Sequence, residues 1–508
     1  MAGFPQVPGG DQAGEPATDD DDVGIHTLRL TGEVGPRAWL LAPRYASLML
    51  DDIAASVRAG RVSAEALVAE SLGRIERLDG PINSVVLARG HGAFADAVAV
   101  DARVEAGADP GPLAGLPLLV KDNEDAAGLS TTYGSLLREG VAPARRDCVV
   151  VARLRAAGAI VVGKTNLPEF AFEGFTSNRL FGDTHDPWAL DWSPGGSSGG
   201  SAAALAAGLA PLATATDGGG SIRIPAAFCG LAGLKPTGAL IGRDPTPSWI
   251  DLSTTGPLAT TVADAALLLE VMRGPVAGDP TAVPAWSPRA EAWPARIVAT
   301  PRMVDYGPLP DAISALFDQA VADLETATGL PIEPLAPPFT EQIDDDWFTT
   351  VAVEELTWIG RDTVIEHADA LTPYLQRAME LAATITADRY LAARRRRFGQ
   401  TRTLDDLLGA DTVLVCPTMC VEGIYADGRS PGSDDIGAPA SAYNTQAANI
   451  TGHPALSVPA GLSPNGVPFG VQITGPRFAD DMVLAVGAAW EAAHPWPLAA
   501  PGFMPFGE

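Results

Sequence analysis

No charged residue interrupts the chain from Ser193 to Thr216, a run of 24 residues that closes on Asp217 and then on Gly218, Gly219, Gly220 and Ser221. A stretch this long without charge has to be buried, either in lipid or in protein. Its glycines, its small side chains and Pro211 make a poor bilayer span, which takes about 20 strongly apolar residues. That leaves the interior of a protein able to enclose it. With 508 residues and 46% hydrophobic content the chain can build such a core. Length alone allows two or three average domains, but large α/β enzymes often form one unit.

Serines and glycines crowd both ends of the run, and between them lie a small-residue helix, Ser201 to Leu209, and a short apolar segment, Leu212 to Thr216. Glycine lets backbone NH groups approach a reacting atom with no Cβ in the way. A helix-to-strand return brings Ser197 and Ser221 together. A serine hydroxyl attacks poorly unless a base takes its proton, so the chain has to supply one. Four consecutive NH groups, at Gly218, Gly219, Gly220 and Ser221, can curl into an oxyanion hole, where one donor typically contributes about 3 to 4 kcal/mol.

The segment from Gly195 to Thr237, GGSSGGSAAALAAGLAPLATATDGGGSIRIPAAFCGLAGLKPT, resembles the amidase signature family. Leu116 to Asn123 (LPLLVKDN), Gly163 to Asn166 (GKTN), Asn449 to Gly461 and Val467 to Ile473 are similar to further blocks of that family, so the likeness is spread from Leu116 to Ile473. The resemblance implies a large mixed, twisted β-sheet core surrounded by α-helices, and a catalytic triad of Ser221 as nucleophile, Ser197 as bridging serine and Lys121 as base. It further implies a cis peptide between Gly196 and Ser197. Ser198 is carried over as support for Lys121 and as a substrate-site residue. The segment holding Phe170, Ala171, Phe172 and Phe175 is placed beside the acyl pocket, with Ala171 and Phe172 as substrate-binding residues. The activity implied is hydrolysis of a carbon–nitrogen bond in a neutral amide through an acyl-enzyme, with aryl amides, carbamates and esters as related substrates. The alternative within the family is the glutamine amidotransferase component that works on misacylated tRNA together with a partner protein.

For Lys121 to act as a base it has to be neutral, and an unperturbed lysine, with a pKa near 10.4, is protonated at neutral pH. The apolar run Leu116 to Val120 and the uncharged serine loop are expected to desolvate it and lower its pKa. Asp122 opposes this unless it points away, which is the expectation. Asp217 and Arg223, flanking the nucleophile, are expected to pair and fix the turn.

Composition narrows the partners. A formal charge of -28 argues against nucleic acid or an anionic membrane, because phosphate binding needs clustered Lys and Arg. A small-molecule amide is the expected partner, and a homodimer is left open. Cys148, Cys229, Cys416 and Cys420 have no metal-site spacing and read as reduced core thiols. No His/Cys/carboxylate cluster has metal-ligand spacing, so neither metal nor cofactor is expected. The N-terminus lacks the basic start and apolar core of a signal peptide, and the cytoplasm is the expected location.

Residues 1–44 are rich in Gly, Pro and Asp, with Asp19 to Asp22 consecutive, and read as an acidic, largely disordered extension. Residues 45–508 read as one domain, with about 275–410 as a helical insert or lid. Leu50 to Ala59 and Ser63 to Leu78 carry helical periodicity, and Asp147 is placed as the cap of a helix through Ala157. Arg394 to Arg397 reads as a solvated helix face. Two motifs mislead. Gly158 to Thr165 (GAIVVGKT) fits the P-loop pattern, but its four middle residues are mostly β-branched and follow a helix, where a phosphate loop follows a strand. Gly196, Ser198 and Gly200 fit GxSxG, yet a turn at Asp191 to Pro194 replaces the strand that a nucleophile elbow requires.

Overall fold

The computed structural model describes residues 49–283, 286–288 and 292–507. The acidic extension read at 1–44 lies outside the described residues, which all fall in one unit, Pro43–Glu508.

The short apolar runs of the sequence become buried strands. Pro117–Lys121 and Ile160–Thr165 are buried at every position and pair in parallel, as expected of strands covered on both faces. They form the centre of a four-stranded sheet, with Val85–Ala88 antiparallel beyond Ile160–Thr165 and Leu212–Ala213 parallel beyond Pro117–Lys121. Among the described residues a second sheet has seven strands. Its order is Leu258–Ala259, Ala232–Lys235, Ala455–Leu462, Pro468–Thr474, Thr412–Pro417, Arg296–Ala299 and Ile332–Pro334. The first five strands pair antiparallel, and the last two join in parallel. The architecture is mixed α/β, with helices packed around the sheets.

Helix ends follow side-chain chemistry. Ser63 Oγ accepts the Ala66 NH at 3.1 Å to start Ala64–Leu78, and Thr261 Oγ1 accepts the Asp264 NH at 3.0 Å to start Val262–Met272. Gly329, with φ of 69°, closes Asp311–Thr328. Asp147 does not cap its helix. The helix starts one residue later, at Val149 after Cys148, and the Asp147 carboxylate instead accepts the Ala127 NH at 2.7 Å.

Two other expectations are corrected. The region 275–410 is not simply a helical insert, because Arg296–Ala299 and Ile332–Pro334 are edge strands of the seven-stranded sheet. Its later part is helical: Gln342–Ile359, Arg361–Glu366, Pro373–Thr384 and Ala387–Leu408. Nor is Arg394 to Arg397 only a solvated face, although Arg395 and Arg396 are exposed. Arg394 and Arg397, one turn apart on Ala387–Leu408, both bind Asp251, at 2.7 and 2.6 Å, and Arg396 reaches the buried Asp346 at 2.5 Å. These arginines pin the helix to the loop carrying Trp249 and to the helix carrying Trp347.

Candidate active site

Lys121 is the last residue of a fully buried strand. The neighbouring strand Leu212–Ala213 runs parallel to it, so the chain leaving Ala213 passes the lysine. Thr214 Oγ1 accepts the Lys121 backbone NH at 2.9 Å, and Thr216 reaches the side chain. Lys121 Nζ lies 2.8 Å from Ser197 Oγ, 2.9 Å from Ser198 Oγ and 2.9 Å from Thr216 Oγ1. Burial strips water from the ammonium form and lowers its pKa from 10.5 to about 7, against the pull of the Glu124 and Asp217 carboxylates. Asp122 takes no part in that opposition. Its carboxylate turns to Thr132 and to Lys164, 3.4 Å away. Lys164, the lysine of the P-loop-like string, is thereby tied into the buried core, where it also donates to the Glu124 carbonyl at 2.6 Å.

The small-residue helix forms as Gly199–Ala206, buried throughout. The Gly196–Ser197 peptide is cis. Ser198 NH donates to the Ser221 carbonyl at 3.2 Å, which ties the serine loop to the GGGS turn. Ser221 is 7% exposed and opens into two cavities. Among the described residues no hydrogen bond joins the Ser197 and Ser221 hydroxyls. Such contacts are often long in ligand-free sites and tighten around the substrate.

The glycines of the turn answer to close approach. A Cβ on Gly218 would stand 2.2 Å from the Trp249 ring, and one on Gly219 would stand 2.5 Å from the Trp347 ring. Trp347 Nε1 donates to the Gly218 carbonyl at 2.8 Å, and the two indoles meet edge to face at 5.9 Å. Gly220 takes φ of 134°, a conformation glycine accepts freely. Its NH departs from the sequence reading: it donates to Asp217 Oδ1 at 2.7 Å and is therefore not free to bind an oxyanion. The NH groups of Gly218, Gly219 and Ser221 carry no such bond among the described residues.

Asp217 and Arg223 form a bidentate pair, both contacts at 2.9 Å and both side chains fully buried. Burial works against ionisation of Asp217, but the guanidinium and the Asn449 amide hold its carboxyl down to about 2. Arg223 also donates to the Thr445 carbonyl, Gln472 Oε1 and Asn449 Oδ1, at 2.8, 2.6 and 2.7 Å. Removing one partner of a buried pair strands the other charge, at a cost of about 3 to 5 kcal/mol. Arg223→Met is therefore expected to lower unfolding free energy by about that amount, read from urea denaturation at neutral pH. A loss below about 1 kcal/mol would contradict the role given to the pair.

Of the residues expected on the substrate side, Ala171 and Phe172 line cavities that Ser221 also lines. Ala171 lines both cavities and Phe172 the larger one. Phe170 and Ala171 reach this placement with left-handed φ of 52° and 61°, which costs L-residues roughly 1 to 2 kcal/mol each. Phe175 is core, packed edge to face on Tyr374 at 5.5 Å. Ser198 is fully buried and lines neither cavity, so it serves Lys121 and not the substrate. The GxSxG reading fails here as well. His453 is turned to Thr451 at 2.9 Å, and His494 stacks on Trp490 at 4.5 Å. Sequence reasoning missed Thr216, the third hydroxyl on Lys121, and Asn123, whose amide donates to Thr216 Oγ1 at 3.1 Å. Asn123 sits inside the LPLLVKDN block, but its chemistry shows only once Thr216 is beside it.

Among the described residues no group of three or more His, Cys, Asp or Glu side chains is placed to hold a metal, and no helix is long and apolar enough to cross a membrane. All four cysteines are free and buried. The amidase family profile matches residues 66–484. A putative amidase, AmiA2, of Mycobacterium tuberculosis is 34% identical over 472 residues, covering 89% of this chain and 94% of that protein. A glutamyl-tRNA(Gln) amidotransferase component from Chromohalobacter salexigens is 34% identical over 491 residues, covering 89% and 98%. Among solved structures, a bacterial aryl acylamidase superposes with a TM-score of 0.79 at 28% identity, covering 90% of this chain and 98% of that one. Sequence, fold and family profile agree over most of the chain, which belongs to the amidase signature family of amidohydrolases.

Proposed function

We propose that this chain hydrolyses the carbon–nitrogen bond of a neutral amide through an acyl-enzyme on Ser221, with Ser197 and Lys121 as its proton relay. The observation that carries the reading is the buried contact of 2.8 Å between Lys121 Nζ and Ser197 Oγ beside a serine that opens to a cavity. A neutral amine has two N–H bonds and one lone pair. Three hydroxyls within 2.9 Å fit two donations and one acceptance, the lone pair receiving the Ser197 proton. Ser197 then accepts the Ser221 proton as Ser221 Oγ attacks the carbonyl, and the NH groups of Gly218, Gly219 and Ser221 are the donors left for the oxyanion. The relay returns the proton to the departing nitrogen, and water releases the acyl group by the same path. Phe172, Trp249 and Trp347 around the larger cavity favour an aryl or other bulky apolar acyl group.

A fluorophosphonate reagent is expected to label the peptide containing Ser221. Label on Ser198 would transfer the attack to the GxSxG serine. The similarity to an amidotransferase component supports a second reading, in which turnover needs a partner protein. Hydrolysis of a simple amide by the purified chain alone decides for the amidase.

A further inference from the structure

Glu124 follows Lys121 by three residues and stands one residue beyond the block Leu116 to Asn123, so the sequence blocks assign it no role. It is 6% exposed and lines the smaller cavity at Ser221 together with Ser197 and Thr216, two of the hydroxyls that hold Lys121 Nζ. A turn brings it there, its backbone NH donating to the Lys121 carbonyl at 3.0 Å. Thr214 then joins the two residues. Its Oγ1 accepts the Lys121 backbone NH at 2.9 Å, which leaves its O–H for the Glu124 carboxylate. The Thr255 hydroxyl adds a longer contact of 3.4 Å.

Most of the charges around this pair are already matched. Asp122 meets Lys164 at 3.4 Å, and Asp217 meets Arg223 at 2.9 Å. Asp125 acts on Lys164, and the Cys148 thiol, which also faces Glu124, is kept protonated by burial. Lys121 and Glu124 have no salt bridge of their own among the described residues. The field of a closed ion pair is largely cancelled by its own partner, whereas a carboxylate without one acts in full on an amine in the same dry pocket. Burial pulls the Lys121 amine toward its neutral form, and Glu124, ahead of Asp217, resists that pull. Burial in turn pushes the Glu124 carboxyl toward its neutral form, and Thr214, Lys121 and Lys164 oppose this.

The relay makes Lys121 change charge. As Ser221 Oγ attacks, its proton passes to Ser197 and the Ser197 proton to Lys121 Nζ, so a neutral amine becomes an ammonium ion out of reach of bulk water. With no counter-charge nearby, such an amine is a poor base. We infer that Glu124 is a positioning residue for the relay: its carboxylate, held by Thr214, is the counter-charge that keeps the buried Lys121 amine basic enough to take the Ser197 proton. Glu124 neither gains nor loses a proton in the step, and the proton on Lys121 returns through Ser197 to the departing nitrogen. The inference rests on the Ser221 relay proposed above.

The test is the pH profile of kcat/KM on phenylacetamide for Glu124→Gln and Glu124→Asp, beside the wild type and Lys121→Met. Removing a facing carboxylate lowers the pKa of an amine, so the acid-limb midpoint of Glu124→Gln is expected about 1 pH unit below that of the wild type. Glu124→Asp keeps the charge one methylene further from the amine and is expected to lower the midpoint by less. A residue that served packing alone would lower the plateau and leave the midpoint in place. The rate at which a fluorophosphonate labels Ser221 reads the same midpoint in a variant too slow on the amide. A Glu124→Gln midpoint within about 0.3 pH unit of the wild type, or above it, would overturn the inference. So would a larger fall in Glu124→Asp than in Glu124→Gln. Should Glu124→Gln fail to fold, the Glu124→Asp midpoint decides by the same limit, and loss of cooperative unfolding in both makes Glu124 a packing residue and overturns the inference. In each of these cases the relay stands as long as Lys121→Met loses the limb. A limb kept by a still-active Lys121→Met would overturn the relay and the inference with it.

Discussion

Replacing Ser221 by alanine is expected to abolish amide hydrolysis while leaving the protein folded. The change deletes one oxygen, and that oxygen opens into both cavities without entering the network that holds the turn. Asp217, Arg223, Asn449 and Thr445 fix the turn through the Asp217 carboxylate, the Gly219 carbonyl and the Gly220 and Ile222 NH groups. None of these bonds uses the Ser221 hydroxyl. Knocking out the nucleophile of a serine hydrolase costs about 10⁶-fold in kcat, whereas removing this hydroxyl leaves every hydrogen bond that holds the turn in place. The measurement is kcat on phenylacetamide beside the thermal unfolding midpoint. A Ser221→Ala protein that keeps a tenth of wild-type turnover, or one that loses its cooperative unfolding, contradicts the assignment.

The acid limb of the pH profile is expected to belong to Lys121, with its midpoint near pH 7. Burial lowers the folded-state pKa to about 7. Below that pH the ammonium form has no lone pair, so kcat/KM falls about tenfold per pH unit; above it the amine is free and activity reaches a plateau. Lys121→Met keeps the apolar stem and removes the base, and is expected to lose about 10²- to 10⁴-fold in kcat together with this limb. Lys121→Arg fares no better, because a guanidinium stays protonated. The profiles of kcat/KM from pH 5 to 10 for the three proteins settle the matter. An unchanged limb in a still-active Lys121→Met enzyme assigns the base elsewhere.

The parts of the site that can be read from sequence share one property: they lie within short blocks. Ser197, Ser221 and the glycines between them occupy one uncharged run, and Lys121 closes one apolar strand. The Asp217–Arg223 pair is six residues apart and is equally accessible. What cannot be read depends on partners far along the chain. The Gly220 NH cannot serve an oxyanion because Asn449 and Arg223 aim the Asp217 carboxylate back at the turn. The arginines of Ala387–Leu408 look like a solvated face until Asp251, 143 residues away from Arg394, is brought beneath them. Arg296–Ala299 is too short to announce itself as a strand; it forms because Thr412–Pro417 offers a parallel edge. Trp249 and Trp347 give an aromatic signal, but only the fold lays their rings against Gly218 and Gly219.

The bonds from Arg223 to Asn449 and Gln472 have a consequence for biosynthesis. Arg223, two residues after Ser221, is made early, yet the groups it binds are synthesised up to 249 residues later. At roughly 5 to 20 residues per second a ribosome takes about 12 to 50 s to cover that distance. Throughout that interval the nascent chain displays both serines and the lysine without the framework that aims them. The hydrogen-bond framework of the GGGS turn is therefore completed only when Asn449 and Gln472 have been made and docked.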